Sequence, residues 1–254
     1  MAAFLTEWTV RSHGDLVQLD TGLLAVEGVI PMPLGNFPRR MTVIGLAGGG
    51  LAIWSAIALR EPEMRRLEAL GQPEWLIVPG AAHRLDAHIW KQRYPHLRVL
   101  CAPGAAQAVA EAVPVDATGD PFRDSALRFV TVPGTGAREA ALLVRHGPRV
   151  TLIVNDIIAN VRHPRGLGTR IMTRLLGFGI DGPRVPRFAR RFFLDDPVAM
   201  AGALRGWAGE PGLARIVPAH GDVIETDPHA ALLRIACDLD GRRAAGEPSG
   251  DPLV

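Results

Sequence analysis

Four residues of the kind that bind metal ions follow short apolar segments of this sequence. They are His83, His88, Asp156 and His220. The segments before them, residues 75–78, 151–154 and 214–217, are rich in β-branched side chains and are typical of buried strands. Because parallel strands present their carboxyl ends at one edge of a sheet, we expect the four side chains to meet there. Two imidazoles and a carboxylate suit zinc, with a position left open for water, and they also suit non-haem iron.

The composition favours one large folded unit. The 254 residues are 48% hydrophobic and 21% charged, which is enough for a single two-layer core. A formal net charge of +2 is too small to indicate nucleic-acid binding. Cys101 and Cys237 have the spacing of neither a metal-binding pair nor a disulfide framework. Since the N-terminal residues do not resemble a signal peptide, a cytoplasmic location is expected.

The order of predicted elements indicates how the strands are layered. Strand pairs are followed by helices in residues 14–112, and a second set of strands with a closing helix fills residues 127–240. We therefore predict an α/β layered fold, a four-layer αββα sandwich of two mixed β-sheets flanked by helices. It forms one domain over residues 1–240, and the polar, Gly- and Pro-rich residues 241–254 predict a disordered tail.

One uncharged stretch has an alternative interpretation. Residues 41–59 carry no charge over 19 positions, a length that suits a membrane-spanning helix. Three consecutive glycines at its centre favour instead two strands, residues 41–46 and 51–57, joined by a glycine turn.

Several motifs together resemble the metallo-β-lactamase fold superfamily. They are Arg40-Met41-Thr42-Val43, Gly49-Gly50-Leu51, Trp54-Ser55, Glu139, and residues 151–156. Their combination is similar to a bacterial branch of that superfamily with no assigned function. The superfamily places a His-x-His-x-Asp-His loop after an early strand, a further His in mid-chain, a bridging Asp after the next strand and a last His near the C-terminus.

The resemblance implies a reduced ligand set. His83 and His88 stand at the ends of the loop motif, Asp156 matches the bridging Asp, and His220 matches the last His. Three other ligand positions are occupied by residues that do not bind metals, namely Leu85, Ala87 and Thr135. Only His83 remains for the first metal of the family. The resemblance therefore implies at most one divalent metal, with zinc in first place and iron as the alternative, or none.

The roles of the retained residues are expectations of that resemblance. His88, Asp156 and His220 would hold the metal, and His83 would be a fourth ligand or a general base, so His83 and Asp156 are the predicted catalytic residues. Asp86 is expected to cap the following helix, with a ligand role in a rearranged loop as the alternative. Glu139 is expected either to form a buried ion pair or to approach the site.

A long segment between two predicted strands, residues 161–197, is rich in arginine. Between Val161 and Leu194 the segment carries eight arginines against Asp181 alone, with apolar residues between them. We predict a helical insertion that covers the edge of the sandwich and contacts a small-molecule substrate, which would be anionic or amphiphilic. Contact with an acidic membrane surface is the lesser alternative.

Two functions from different classes remain at this point. The first is a metal-dependent hydrolase with a reduced, mononuclear site at the edge of the sandwich. The second is a non-catalytic protein of the same fold, with a binding or structural role, that has lost most of its metal ligands. The sequence does not identify a substrate, and the fold cannot supply one.

Overall fold

The computed structural model describes residues 4–241, so nearly all of the predicted tail lies outside the described residues. Six strands form the first sheet and follow one another in chain order. They are β1 (Val17–Asp20), β2 (Leu23–Met32), β3 (Gly35–Gly45), β4 (Leu51–Trp54), β5 (Pro73–Val78) and β6 (Arg98–Cys101). The first four are antiparallel, whereas β4, β5 and β6 are parallel. Helices α1 (Glu61–Glu68) and α2 (Ala87–Arg93) make the two parallel crossovers.

The second sheet has four strands in the order β10-β9-β8-β7. They are β7 (Leu127–Thr131), β8 (Ala140–His146), β9 (Arg149–Val154) and β10 (Leu213–Pro218). The antiparallel pair β8 and β9 is joined by a tight turn at Gly147, whose φ of +55° is accessible to glycine at little cost. Strand β10 is parallel to β9 and places Pro218 opposite Val154. The carboxyl ends of these two strands therefore lie side by side.

Alternate side chains of the second sheet enter two different cores. Leu142 and Ile153 belong to the core shared with the first sheet. Leu143 and Leu152 point to the opposite face and pack with helices α6 (Pro197–Ala208) and α7 (Pro228–Asp240). Helices α1 and α2, with the short α3 (Ala106–Ala110), contribute apolar residues to the core around the first sheet. The predicted sandwich of two mixed sheets flanked by helices is confirmed.

The uncharged stretch over residues 41–59 is a strand pair, as the glycines predict. Strand β3 ends at Gly45, the turn passes through Gly49 at a φ of +86°, and β4 begins at Leu51. The strands pair in antiparallel register, with Thr42 opposite Trp54. Among residues 4–241, no helix combines the length and the apolar character needed to cross a membrane.

The arginine-rich segment includes helices α4 (Leu167–Leu176) and α5 (Arg187–Phe192). Helix α4 lies against the tip of the β2–β3 hairpin, where the Thr169 hydroxyl donates to the Asn36 carbonyl oxygen at 3.1 Å. Farther along, the rings of Phe37 and Phe178 meet edge to face, with centroids 4.6 Å apart. The segment thus covers the end of the first sheet at which the predicted site lies.

Candidate metal centre

Three of the four predicted residues meet at one point. His83 lies in a 3-10 turn, Ala81–Arg84, after β5, while Asp156 and His220 each stand two residues beyond the ends of β9 and β10. Since Val154 and Pro218 are register partners, equal extensions of the two strands bring Asp156 and His220 together. The Oδ1 atom of Asp156 lies 3.0 Å from Nε2 of His220 and 3.4 Å from Nε2 of His83.

The three ligand atoms lie within 4.8 Å of one another, close enough to hold one metal ion. All three side chains are largely buried, each with a relative exposure of 7%. Among the described residues, no other histidine, cysteine or carboxylate joins this group. The donor set is two imidazole nitrogens and one carboxylate oxygen, a combination that binds zinc or non-haem iron.

His88 does not face this point. Helix α2 begins at Ala87 and turns His88 away, so that its Nδ1 lies 3.1 Å from the carbonyl oxygen of Ala112. Its ring also contacts Phe4, with centroids 5.5 Å apart. The expectation that all four side chains share one point therefore fails for His88, because the helix that follows the loop sets its direction.

Asp86 has a role that the sequence did not indicate. It stands at the N-cap position of α2, but its side chain makes no capping hydrogen bond. Instead the buried carboxylate pairs with Arg39 of β3, with a second contact to that guanidinium at 3.4 Å, and accepts from the Ala58 backbone N–H at 3.0 Å. Asp86 thus fixes the loop before α2 to the first sheet, and the predicted cap is corrected to a buried ion pair.

The second nitrogen of each cluster histidine is already engaged. His220 Nδ1 lies 2.7 Å from the carbonyl oxygen of Pro38, and since a carbonyl only accepts, that nitrogen carries the hydrogen. In a neutral His220, Nε2 then carries a lone pair that faces the Oδ1 atom of Asp156. His83 Nδ1 lies 2.5 Å from the Ser55 hydroxyl. Two acceptors facing each other require a cation or a proton between them, so these residues fit a metal ion.

Ser55, in the Trp54-Ser55 motif, is a site residue that sequence reasoning missed. It follows β4 directly, as the other site residues follow their strands, and that placement was the available signal. Its φ of +55° is unusual for a residue with a side chain and marks local strain. Its backbone N–H is tied to the Ile77 carbonyl at 3.0 Å. The strained backbone thereby directs the hydroxyl to His83.

The charges at the centre favour an ionised Asp156 and a neutral His83. Burial alone would raise the pKa of Asp156, but its electrostatic interactions and hydrogen bonds with the His83 and His220 rings outweigh burial and hold that pKa below its usual range. Burial lowers the pKa of His83 in spite of the neighbouring carboxylate. A neutral imidazole and an ionised carboxylate are the forms that bind metals.

Glu139 interacts with Asp156 and with its neighbour in the chain, Asn155. It is buried and accepts from the Asn155 side-chain amide at 2.8 Å, one residue before Asp156. Burial, followed by the charge of Asp156, raises the pKa of Glu139 well above its usual value. Glu139 was expected either to form a buried ion pair or to approach the site. It approaches the site, and it forms no ion pair with any of the described residues.

A cavity of about 200 Å³ opens onto the three ligands. Its wall also contains Ser55, Arg39 and Phe37, and most of the remaining wall is aliphatic or aromatic. The rings of Phe37 and Phe178 pack against His220, with centroid distances of 5.1 and 5.7 Å. The cluster therefore lies at the polar end of a pocket that is otherwise apolar.

Solved metallo-β-lactamases share the fold of this chain. One from Hirschia baltica matches with a TM-score of 0.57 and 14% identity, over 87% of this chain and 97% of that one. One from Pseudomonas aeruginosa, in its mono-zinc form, matches with a TM-score of 0.59 and 12% identity, over 91% and 98%. One from Erythrobacter litoralis, with β-mercaptoethanol in the active site, matches with a TM-score of 0.59 and 12% identity, over 88% and 96%.

These likenesses establish the metallo-β-lactamase fold for this chain, and at such low identities they establish the fold alone. No protein-family model matches the chain, and no curated protein sequence matches it.

Proposed function

We propose that this protein of the metallo-β-lactamase fold is a metal-dependent hydrolase with a mononuclear site. His83, Asp156 and His220 hold the ion. The observation that carries the proposal is the convergence of two imidazole Nε2 atoms on one carboxylate oxygen, at 3.4 and 3.0 Å. Zinc is the first choice and iron the alternative for this donor set. A metallo-β-lactamase of the same fold, from Pseudomonas aeruginosa, has a mono-zinc form.

When bound, zinc supplies Lewis-acid activation of a water and of a substrate carbonyl. The chain's own residues prepare the site for that chemistry. Pro38 and Ser55 hold the two imidazoles by their Nδ1 atoms, so that Nε2 of each remains directed to Asp156. Asp156 supplies the negative charge that compensates the ion.

We assign His83 as a ligand rather than as a general base. Both of its nitrogens have partners in the site, Nε2 with Asp156 and Nδ1 with Ser55. A ligand needs its coordinating nitrogen unprotonated, and the lowered pKa of His83 favours that state. With Nε2 as the ligand atom, the hydrogen resides on Nδ1 and is donated to the Ser55 hydroxyl.

Elemental analysis and an activity screen test the proposal together. Protein purified without added metal, and then loaded, is expected to carry at most one transition-metal ion per chain. Loaded protein is screened with esters, thioesters, lactones and phosphoesters. Turnover is expected to disappear with a chelator and to return with zinc. The Asp156→Ala protein should have neither metal nor activity, and hydrolysis by this variant at the parental rate would refute the assignment.

The non-catalytic alternative has one specific observation in its favour. Thr135 stands where the resemblance places a family histidine. It is buried, and its hydroxyl donates to the Val132 carbonyl at 2.7 Å, so that it stabilises the turn after β7. Together with the direction of His88, this indicates a site much reduced from the two-metal arrangement of the family. Failure to retain a metal under any loading condition would favour this alternative.

A further inference from the structure

The cavity beside the three ligands is built mainly from hydrocarbon. Its largest apolar side chains come mainly from two parts of the chain, the β2 strand and the arginine-rich segment, with Phe37 of β3 beside them. The side chains are Ile30 and Met32 on β2, Met172 and Leu176 on α4, Phe178, and Phe188 on α5. A wall of this kind holds apolar groups and repels ionised ones, because burial of an unpaired charge is costly.

The polar groups of the same wall already have partners. Arg39 is the only arginine or lysine among the described residues that line the cavity, and its charge is compensated by the buried carboxylate of Asp86. Ser55 is engaged with His83. Away from the three ligands, the side chains of the cavity wall therefore offer no uncompensated cation with which the far end of a substrate could pair an anionic group.

The arginines of the segment do not line the cavity. Arg190 pairs with Asp238 at 2.7 Å, and Arg191 lies over the Phe192 ring at 5.7 Å from its centroid. Arg187 reaches the Leu175 carbonyl at 3.5 Å. The segment thus contributes its apolar side chains to the pocket, while its charges lie elsewhere.

We infer that the cavity binds a compact, uncharged apolar acyl group of an ester or thioester whose carbonyl lies at the three ligands. This inference rests on the hydrolase proposed above and names its substrate class. The volume of about 200 Å³ limits how much of the acyl group the cavity can enclose. At about 30 Å³ for each water-sized group, it accommodates roughly six or seven non-hydrogen atoms.

A series of 4-nitrophenyl esters with two to twelve acyl carbons measures the size directly. With the zinc-loaded full chain, kcat/KM is expected to rise by about fourfold per methylene up to roughly six carbons, the gain expected from burying a methylene, and then to stop rising. The ester of succinic acid, which ends in a carboxylate, should be roughly 10²-fold poorer than an uncharged ester of similar length. Equal rates for acetate and hexanoate, or a faster succinate, would overturn the inference.

Two adjacent leucines give a matched pair of variants. Leu176 lines the cavity, whereas Leu175 on the same helix is 65% exposed and does not line it. Leu176→Ala should enlarge the pocket, lower kcat/KM for hexanoate by about tenfold and move the preferred chain length upward by one to three carbons. Leu175→Ala should leave the profile unchanged. A shift in both variants, or in neither, would contradict the assigned wall.

A binding measurement separates this inference from the hydrolase proposal. 1-Hexanol is added to metal-free protein labelled with ¹³C in its methionine methyl groups. The signals of Met32 and Met172, which line the cavity, should shift, while those of the core residues Met64 and Met200 should not. These shifts without turnover of any ester would leave the apolar pocket in place and refute the hydrolase. Metal-dependent turnover with no methionine shifts and no chain-length preference would refute the apolar pocket and leave the hydrolase proposal standing.

Discussion

Asp156 Oδ1 lies 3.0 Å from His220 Nε2, while the other nitrogen of that ring is directed to the Pro38 carbonyl at 2.7 Å. The backbone thus decides which nitrogen of His220 carries the hydrogen. In a neutral His220 ring a lone pair then faces the carboxylate, and a cation or a proton between the two atoms satisfies both. At His83 the partner of Nδ1 is the Ser55 hydroxyl, which can donate or accept and therefore does not by itself decide which nitrogen of that ring carries the hydrogen.

Asp156→Asn should abolish metal retention while changing the shape of the side chain little. The amide removes the only negative ligand of the cluster. Loss of a hydrogen-bonding partner of a ligand typically weakens metal affinity by about 10–100-fold, and loss of the ligand charge should cost at least as much. Metal content after dialysis measures the effect. Asp181→Asn, at an exposed position of the arginine-rich segment, is the control and should retain the parental content.

His83→Ala and His88→Ala should differ in metal content. His83 contributes Nε2 to the cluster, and its removal should lower zinc affinity by about 10²-fold or more. His88 faces the Ala112 carbonyl, so its replacement should leave zinc content unchanged. A zinc titration followed with a competing chromophoric chelator measures both. Equal losses in the two variants would place His88 at the metal after all.

Ser55 can be tested with two variants that separate the hydroxyl from the backbone. Ser55→Ala and Ser55→Gly both remove the partner of His83 Nδ1, and each should weaken zinc binding by about 10–100-fold. Only glycine relieves the strain at a φ of +55°, so the Gly variant should be more stable than the Ala variant by about 1 kcal/mol. Chemical denaturation compares the two stabilities. Parental zinc affinity in either variant would exclude a positioning role for the hydroxyl.

Glu139→Gln should alter how the stability of the metal-free protein depends on pH. The pKa of Glu139 is raised in the folded state, so its contribution to stability is present below about pH 4.5 and is lost as the pH rises through that raised pKa. Glutamine does not titrate. The Tm of the variant minus that of the parent should therefore increase between pH 5 and pH 8. Each 1 kcal/mol of unfolding free energy that the parent loses corresponds to about 2–4 °C. A difference that stays constant over this range would show that Glu139 is ionised in the folded protein.

Asp86→Ala should be strongly destabilising because it leaves the buried Arg39 guanidinium without its carboxylate. Loss of one partner from a buried pair typically costs about 3–5 kcal/mol. Glu61→Ala removes a comparable contact from the surface, the Arg93–Glu61 pair at 2.6 Å, and should cost under about 1 kcal/mol. Denaturant unfolding measures both. A loss of under about 1 kcal/mol for Asp86→Ala would contradict the role assigned to the pair.

The amino-acid sequence determined where most of the strands lie along the chain and which ligand-type residues follow β5, β9 and β10. Period-two and continuous apolar segments identified β5, β9 and β10, and the glycines at 48–50 identified the turn between β3 and β4. Asp156 and His220 each stand two residues beyond a strand that the sequence identifies, so their placement at strand ends was predictable from local periodicity. The parallel pairing of β9 with β10, in the register that brings the two residues together, was decided by the sheet.

Only the tertiary structure decided where the side chains of loops and helix starts point. His88 turns away because α2 begins one residue before it. The Asp86 side chain makes no capping hydrogen bond and pairs instead with Arg39, a residue 47 positions away in the chain. The contact between Ser55 and His83 spans 28 positions, and the contact between His220 and Pro38 spans 182. Contacts of this separation depend on how the two sheets and their loops pack, because no local pattern encodes the partner.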